Sequence, residues 1–211
     1  MCSSGTGQVM PQASPHSLVS LDLNQPIWER FFSVAPLVVI GTQEPDGTYD
    51  LAPKHMAMPL GWGHSFGFIC TPRHHTYHNV QRTQAFTVSF PQPSQVLATS
   101  LTAAPRCGDN HKSALKVLPT FPAQSIDGVF LQDAYVCLEC ELDRIIDGFG
   151  EDSLIAGKIL AAHVDETALR LSARDDQDLL LQSPVLAYLS PGRYACIDHS
   201  QSFPFHEGFQ R

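Results

Sequence analysis

The sequence is poor in charged side chains. They make up 16% of its 211 residues, against roughly 25% in an average soluble domain. This deficit indicates that a second subunit covers part of the surface. The net charge of −8 argues against a nucleic-acid or anionic-membrane partner. No run approaches the ~20 apolar residues of a membrane helix. The N-terminus lacks the basic and apolar regions of a signal peptide, so a cytoplasmic protein with reduced thiols is expected.

Two signatures of common functional sites are missing. The chain contains no Walker-type phosphate loop and no second CxxC pair. Cys137 and Cys140 form the single CxxC, within the stretch AYVCLECEL, which alternates like a strand. Residues three apart on a strand point to opposite faces, so the two sulfurs diverge. They are therefore interpreted as structural cysteines rather than as half of a zinc or redox centre.

What the chain does contain is a series of short apolar runs separated by Gly and Pro turns, which is typical of a β-sandwich or barrel. Strands are predicted over residues 36–42, 48–56, 64–71, 86–90, 129–146, 184–189 and 193–197. Helices are predicted over residues 25–32, 72–81 and 112–117, with weaker helical character at 94–103 and 175–182. Residues 153–164 are ambiguous, because their composition favours a helix and their position after a glycine turn favours a strand.

At this length the chain suits one domain with tails. Residues 1–22 are predicted to be a mobile tail or one draped over a dimer partner, residues 23–198 a single domain, and residues 199–211 a C-terminal tail.

Two polar segments lie within or at the end of predicted strands, residues 50–55 and 71–76. Together they supply cations, hydroxyl groups and the start of a helix that Thr71 would cap and Pro72 would open. Such a combination can bind a phosphate through backbone N–H groups and the helix dipole. By pattern alone, a solvated loop followed by an ordinary helix start explains the same residues.

Histidines in this region admit a metal-site interpretation as well. His74 and His78 have the i, i+4 spacing of helical metal ligands, with His75 beside them. No Asp or Glu occurs among residues 51–108, so the local sequence offers no carboxylate ligand. Phosphate-side or surface histidines are favoured, and no metal is predicted.

Residues 30–90 resemble the flavin reductase-like family, whose members bind FMN in a split β-barrel. The resemblance rests on FFSVAPLVVIGT, on Asp46–Gly47, on Leu51–Pro53, on the strand GFICT, and on RHHTYHNV followed by AFTVSFP. The helix start of the family carries a Thr followed three residues later by Asn, which Thr76 and Asn79 match.

The resemblance continues through LECELDRIIDGFGEDSLIAGKI and PVLAYLSPGRYACI, and thereby covers most of residues 28–197. The chain also departs from the family. Asp50 stands where Asn is common, Lys54 and His55 stand where small hydroxyl residues are common, and Gly150-Glu151-Asp152 lacks the His of a Gly-Asp-His turn.

The resemblance implies a mainly β protein: an FMN-binding split β-barrel, antiparallel and Greek-key-like, with a few short flanking helices. It implies a homodimer that reduces flavin with NADH or NADPH, with a partner oxygenase as a further expectation. The alternatives are an FMN electron carrier without nicotinamide activity and a flavin-free barrel that serves as a binding module. No catalytic side chain is assigned. The cofactor-binding residues it implies are Asp50, Leu51, Ala52, Pro53, Lys54, His55, Thr71, Arg73, His74, His75, Thr76 and Asn79.

Overall fold

A computed structural model describes residues 18–108, 111–171 and 173–208. The predicted N-terminal tail therefore lies mostly outside the described residues. The strands are β1 Ser33–Pro36, β2 Val38–Gln43, β3 Tyr49–Lys54, β4 Ala57–Pro59, β5 Ser65–Cys70, β6 Ala85–Phe90, β7 Thr120–Pro122, β8 Val129–Leu131, β9 Val136–Phe149, β10 Asp152–Val164, β11 Val185–Ser190 and β12 Arg193–Ile197. The α-helices are α1 His75–Thr83, α2 Val96–Leu101 and α3 Asp176–Gln182, and 3-10 turns occupy Ile27–Glu29, Pro93–Gln95 and Ser113–Val117.

Seven strands form one curled sheet in the order β3-β2-β6-β9-β10-β5-β4. Smaller sheets have the orders β1-β11-β12 and β7-β8. All neighbouring strands pair antiparallel. The mainly β, antiparallel prediction is therefore confirmed, and β3 and β4 are the two edges of the large sheet.

The large sheet is buried on both faces at strand β2, whose side chains alternate between two apolar clusters. Val38 and Ile40 pack with Phe66, Phe68 and other residues in the main core. Val39 points the other way and packs in a second cluster with Leu51 and Leu131. This double burial explains why β2 reads as a continuous apolar run rather than an alternating one.

Residues 153–164 form most of strand β10, so tertiary pairing overrides their helical composition. The strand is held on both sides, since Gly157 lies opposite Leu142 of β9 and Phe66 of β5. A Cβ atom at Gly157 would lie 2.5 Å from Cζ of Phe86. The ring of Phe86 therefore packs directly over this backbone, which requires a glycine.

Several boundaries differ from the sequence-based prediction. The apolar stretch 129–146 is two strands, β8 and β9, because Asp133 adopts a positive φ of 61° in the loop between them. The predicted strand 48–56 ends at Lys54, and β4 begins at Ala57. Residues 25–32 form only a 3-10 turn, with no side-chain hydrogen bond capping it and no buried residue. No helix in the described ranges is long and apolar enough to cross a membrane.

Candidate functional site

Edge strand β3 forms one wall of a cavity of about 410 Å³. Asp50, Ala52 and Lys54 alternate along the strand and line this cavity. Leu51 points to the opposite face, where it is buried in the second apolar cluster. Pro53 also lines the cavity, and an edge strand tolerates a proline because one row of its backbone groups needs no ladder partner.

The start of helix α1 forms the second wall, with Arg73, His74, His75 and Thr76 lining the cavity. The residue that caps the helix is His74, with φ −91° and ψ 142°, and not the predicted Thr71. Pro72 lies in the turn before the helix rather than inside it. No side chain caps α1 and no acidic residue occupies its first turn. The uncapped start of α1 and its positive dipole end therefore favour an anion at this wall.

A third wall comes from the segment after helix α2, which the sequence analysis did not identify. Its members are small or cationic, and they lie far from β3 and α1 along the chain. The residues of this wall are Thr102, Ala103, Ala104, Pro105, Arg106 and Lys112.

Lys54 carries a positive charge that the nearby side chains do not neutralise. Its Nζ lies 3.5 Å from Cys70 Sγ and 3.5 Å from His74 Nδ1, and no ion pair joins it to a carboxylate of the described residues. Burial and the charge of Lys54 lower the pKa of His74. A neutral His74 ring can accept from Lys54 Nζ and adds no second positive charge there. Burial raises the pKa of the Cys70 thiol, although Lys54 opposes this.

The cations of the third wall are compensated by buried acids. Arg106 Nη2 lies 2.7 Å from Glu44 Oε1 and 3.0 Å from Asp50 Oδ2. Lys112 Nζ donates to the carbonyl oxygens of Leu51 and Thr102, each at 2.9 Å. The same Nζ lies 2.9 Å from Asp50 Oδ1, at an angle that gives an ion pair without a hydrogen bond. An anion is therefore bound more favourably at the end near Lys54 than at the end near Arg106.

The family model described as "Flavin reductase like domain" matches residues 32–187. The chain belongs to the flavin reductase-like family. Comparison with curated proteins gave no match.

Solved structures of other proteins share the fold of this flavin reductase-like chain. Nitrilotriacetate monooxygenase component B from Bacillus cereus is 18% identical with a TM-score of 0.76, over 90% of this chain and 100% of that one. Flavoredoxin of Desulfovibrio vulgaris (Miyazaki F) is 20% identical with a TM-score of 0.72, over 90% and 100%. An FMN-binding protein from Thermus thermophilus, with bound 1-cyclohex-2-enone, is 18% identical with a TM-score of 0.69, over 90% and 99%. The split β-barrel prediction is confirmed.

Not every residue implied by the family resemblance lies at the cavity. His55 points towards β11, where its ring centroid lies 4.5 Å from that of Tyr188. Asn79 is buried and donates to Thr42 Oγ1 at 3.1 Å. The implied residues that line the cavity are Asp50, Ala52, Pro53, Lys54, Arg73, His74, His75 and Thr76. The implied residues that do not line it are Leu51, His55, Thr71 and Asn79.

Arg73 lines the cavity but is already engaged. Its guanidinium forms an ion pair with Glu151, in the turn between β9 and β10, and both side chains are largely exposed. Exposed pairs of this kind contribute about 0–1 kcal/mol, so Arg73 can leave Glu151 for a ligand at small cost.

The histidine cluster of the sequence does not assemble a metal centre. Within residues 18–108, 111–171 and 173–208, no group of three or more His, Cys, Asp or Glu side chains could hold a metal ion. His74 contacts Lys54 and His75 contacts Glu44, so the two rings are used in separate polar interactions.

Proposed function

We propose that this chain binds FMN in the β3–α1 cavity and uses it as an NADH- or NADPH-dependent flavin reductase. The observation that carries the proposal is the charge of Lys54, uncompensated by a carboxylate, beside the uncapped start of α1. A phosphorylated ligand is the natural occupant of such an end. The membership in the flavin reductase-like family supports a flavin as that ligand.

The side chains of the cavity fit the parts of FMN. Lys54, Arg73, His74, His75 and the hydroxyl of Thr76 surround the end suited to the phosphate. The carboxylate of Asp50 offers an acceptor to ribityl hydroxyl groups, and Ala52, Pro53 and the small residues of the third wall offer apolar surface. The volume of about 410 Å³ falls within the range of small-molecule sites.

FMN, when bound, supplies a ring that accepts a hydride at N5. The protein contributes binding and orientation. Lys54 and the N–H groups of α1 hold the anionic end, and the pairs of Asp50 with Arg106 and Lys112 hold the third wall against β3. No side chain of the cavity is assigned as an acid or base, since hydride transfer to flavin requires the protein mainly to orient and polarise the reactants.

An FMN electron carrier without nicotinamide activity is the second candidate. The Glu151-Asp152 turn favours it, because Glu151 adds negative charge beside Arg73 and the turn lacks the His that is common in the family. A flavin-free barrel that serves as a binding module is the third.

Absorbance and titration separate these candidates. The purified protein is expected to show a flavin spectrum, or to gain one with added FMN and melt at a higher temperature. Oxidation of NADH or NADPH in the presence of FMN then distinguishes a reductase from a carrier. A colourless protein whose melting temperature does not respond to FMN would exclude both flavin functions.

The homodimer also belongs to this proposal. Trp28, Phe32 and Val34 near the N-terminus and Met58 on edge strand β4 are more than half exposed, as expected of residues that a second subunit covers. Sedimentation or light scattering would test the mass. A partner oxygenase, a cytosolic location and domain limits at residues 23–198 stay predictions.

A further inference from the structure

Glu44 is a buried acid that contacts two residues of the cavity without lining it. It follows strand β2 and is 5% exposed. Its Oε2 lies 3.2 Å from His75 Nδ1, and its Oε1 accepts from Arg106 Nη2 at 2.7 Å. Burial acts to raise the pKa of Glu44, but the hydrogen bonds from His75 and Arg106 outweigh it and lower the pKa overall. Glu44 is therefore an ionised acceptor.

This contact determines how His75 presents its ring. A carboxylate can only accept hydrogen bonds, so the proton of His75 lies on Nδ1. The two nitrogens of an imidazole point away from one another, and Nδ1 faces a residue outside the cavity. His75 itself lines the cavity with about a third of its side chain exposed. Nε2 is thus on the side where the phosphate is proposed to bind.

We propose that Glu44 is a positioning residue for the phosphate of bound FMN. It holds His75 as an imidazolium that donates from Nδ1 to Glu44 and from Nε2 to a phosphate oxygen. This inference rests on the proposed FMN function. Binding then takes up one solvent proton, which forms the Nε2–H bond, and no electrons are transferred. At pH 8 a phosphate monoester is already dianionic, because its second pKa is about 6, so the proton is gained by the protein.

The titratable groups on the Glu44 side of His75 are Arg106 and Lys112 with their acids, together with His111, which pairs with Asp46 and does not line the cavity. Arg106 bridges Glu44 and Asp50, and Lys112 pairs with Asp50. Arginine and lysine remain protonated at pH 8 and cannot gain a proton on binding. They balance the two buried acids, which leaves His75 as the group between Glu44 and the incoming phosphate.

The titratable groups on the other side of His75 are also not expected to take up the proton that accompanies FMN binding. His74 is next to Lys54, and burial and that cation lower its pKa. Burial raises the pKa of Cys70, so this thiol is already protonated at pH 8. Arg73 is paired with Glu151 at the surface and keeps its charge.

Calorimetry at pH 8 in two buffers of different ionisation enthalpy tests this assignment. We expect uptake of about one proton with FMN and none with riboflavin, which lacks the phosphate. In Glu44→Gln the uptake should disappear, and the ratio of FMN to riboflavin affinity should fall on the order of tenfold, as expected for a charge-assisted hydrogen bond. His78→Asn, which changes an exposed histidine of α1 outside the cavity, is the matched control and should keep the proton uptake.

Riboflavin affinity and the ¹⁵N resonances of the histidine rings separate positioning from damage to the fold. A variant that binds riboflavin like the original chain is folded at the site. In the free protein at pH 8 we expect a ring with its proton on Nδ1, whose signal vanishes in His75→Asn. Unchanged uptake or affinity ratio in Glu44→Gln, or a proton on Nε2 of free His75, would overturn this inference alone. Failure of the original chain to bind either flavin would overturn the proposed function, and the role of Glu44 with it.

Discussion

Replacing Lys54 by alanine removes a cation from the proposed phosphate end of the cavity. In the free protein this cation has a thiol and a neutral imidazole as side-chain neighbours. Its Nζ contacts Cys70 and His74, each at 3.5 Å. Neither contact is an ion pair, so the substitution should lower the stability of the free protein only slightly. The main effect should therefore appear in ligand binding.

The expected loss of FMN affinity is about 2 kcal/mol, which corresponds to roughly a 30-fold weaker Kd, because a hydrogen bond to a charged group contributes about 1.5–3 kcal/mol. Arg73→Ala should cost less, about 0.5–1 kcal/mol. Arg73 is exposed and must first leave Glu151, and an exposed ion pair contributes little on balance.

Flavin fluorescence titrations with FMN and riboflavin measure both effects. Lys54→Ala should weaken FMN and leave riboflavin binding unchanged, since only FMN carries the phosphate. An equal loss for both ligands would place Lys54 beside the ring or the ribityl chain. Unchanged FMN affinity in both Lys54→Ala and Arg73→Ala would refute the location of the phosphate end.

Three further predictions concern the scaffold. Gly157→Ala should lower stability by about 1–3 kcal/mol, since the new Cβ would lie 2.5 Å from Phe86, and a thermal melt should show a fall of several degrees. Glu139 is buried and accepts from backbone N–H groups of residues 124–126. Burial acts to raise its pKa, but these bonds outweigh it and lower the pKa. The contribution of Glu139 to the free energy of unfolding is therefore fully present above the pKa of the unfolded state and is lost as the pH falls through the pKa of the folded state. Glu139→Gln should consequently lower the stability by about 2 kcal/mol at neutral pH and by much less in acid. Burial, with the charge of Glu139, raises the pKa of Cys137 and Cys140 to about 12, so only the exposed cysteines should react with a disulfide reagent until the protein unfolds. Fast labelling of these two thiols in the folded protein would contradict the burial argument.

Local patterns in the sequence predict those parts of the fold that depend on neighbours along the chain. The predicted strands 36–42 and 48–56 pair as β2 and β3, and the turn between them places Gly47 at a φ of 85°. The predicted strands 184–189 and 193–197 pair with one another as β11 and β12. The walls formed by β3 and α1 are predictable as well, because cations and a helix start lie within or directly after predicted strands.

Other features depend on contacts that no local pattern encodes. Residues 153–164 have the composition of a helix, but two neighbouring strands and the ring of Phe86 hold them as β10. Glu44 carries no local signal of its role, because its partners His75 and Arg106 lie 31 and 62 residues away along the chain.

The sequence alone thus determined the family, the strand-rich class and two walls of the cavity, since these depend on short-range patterns and on a recognisable order of motifs. The tertiary structure decided the third wall and the distribution of charge. Arg106 and Lys112 are cations like Lys54 in the sequence, yet Asp50 and Glu44 neutralise them and leave Lys54 uncompensated by a carboxylate. Electrostatic partners are chosen by distance in space, and distance in space is what folding supplies.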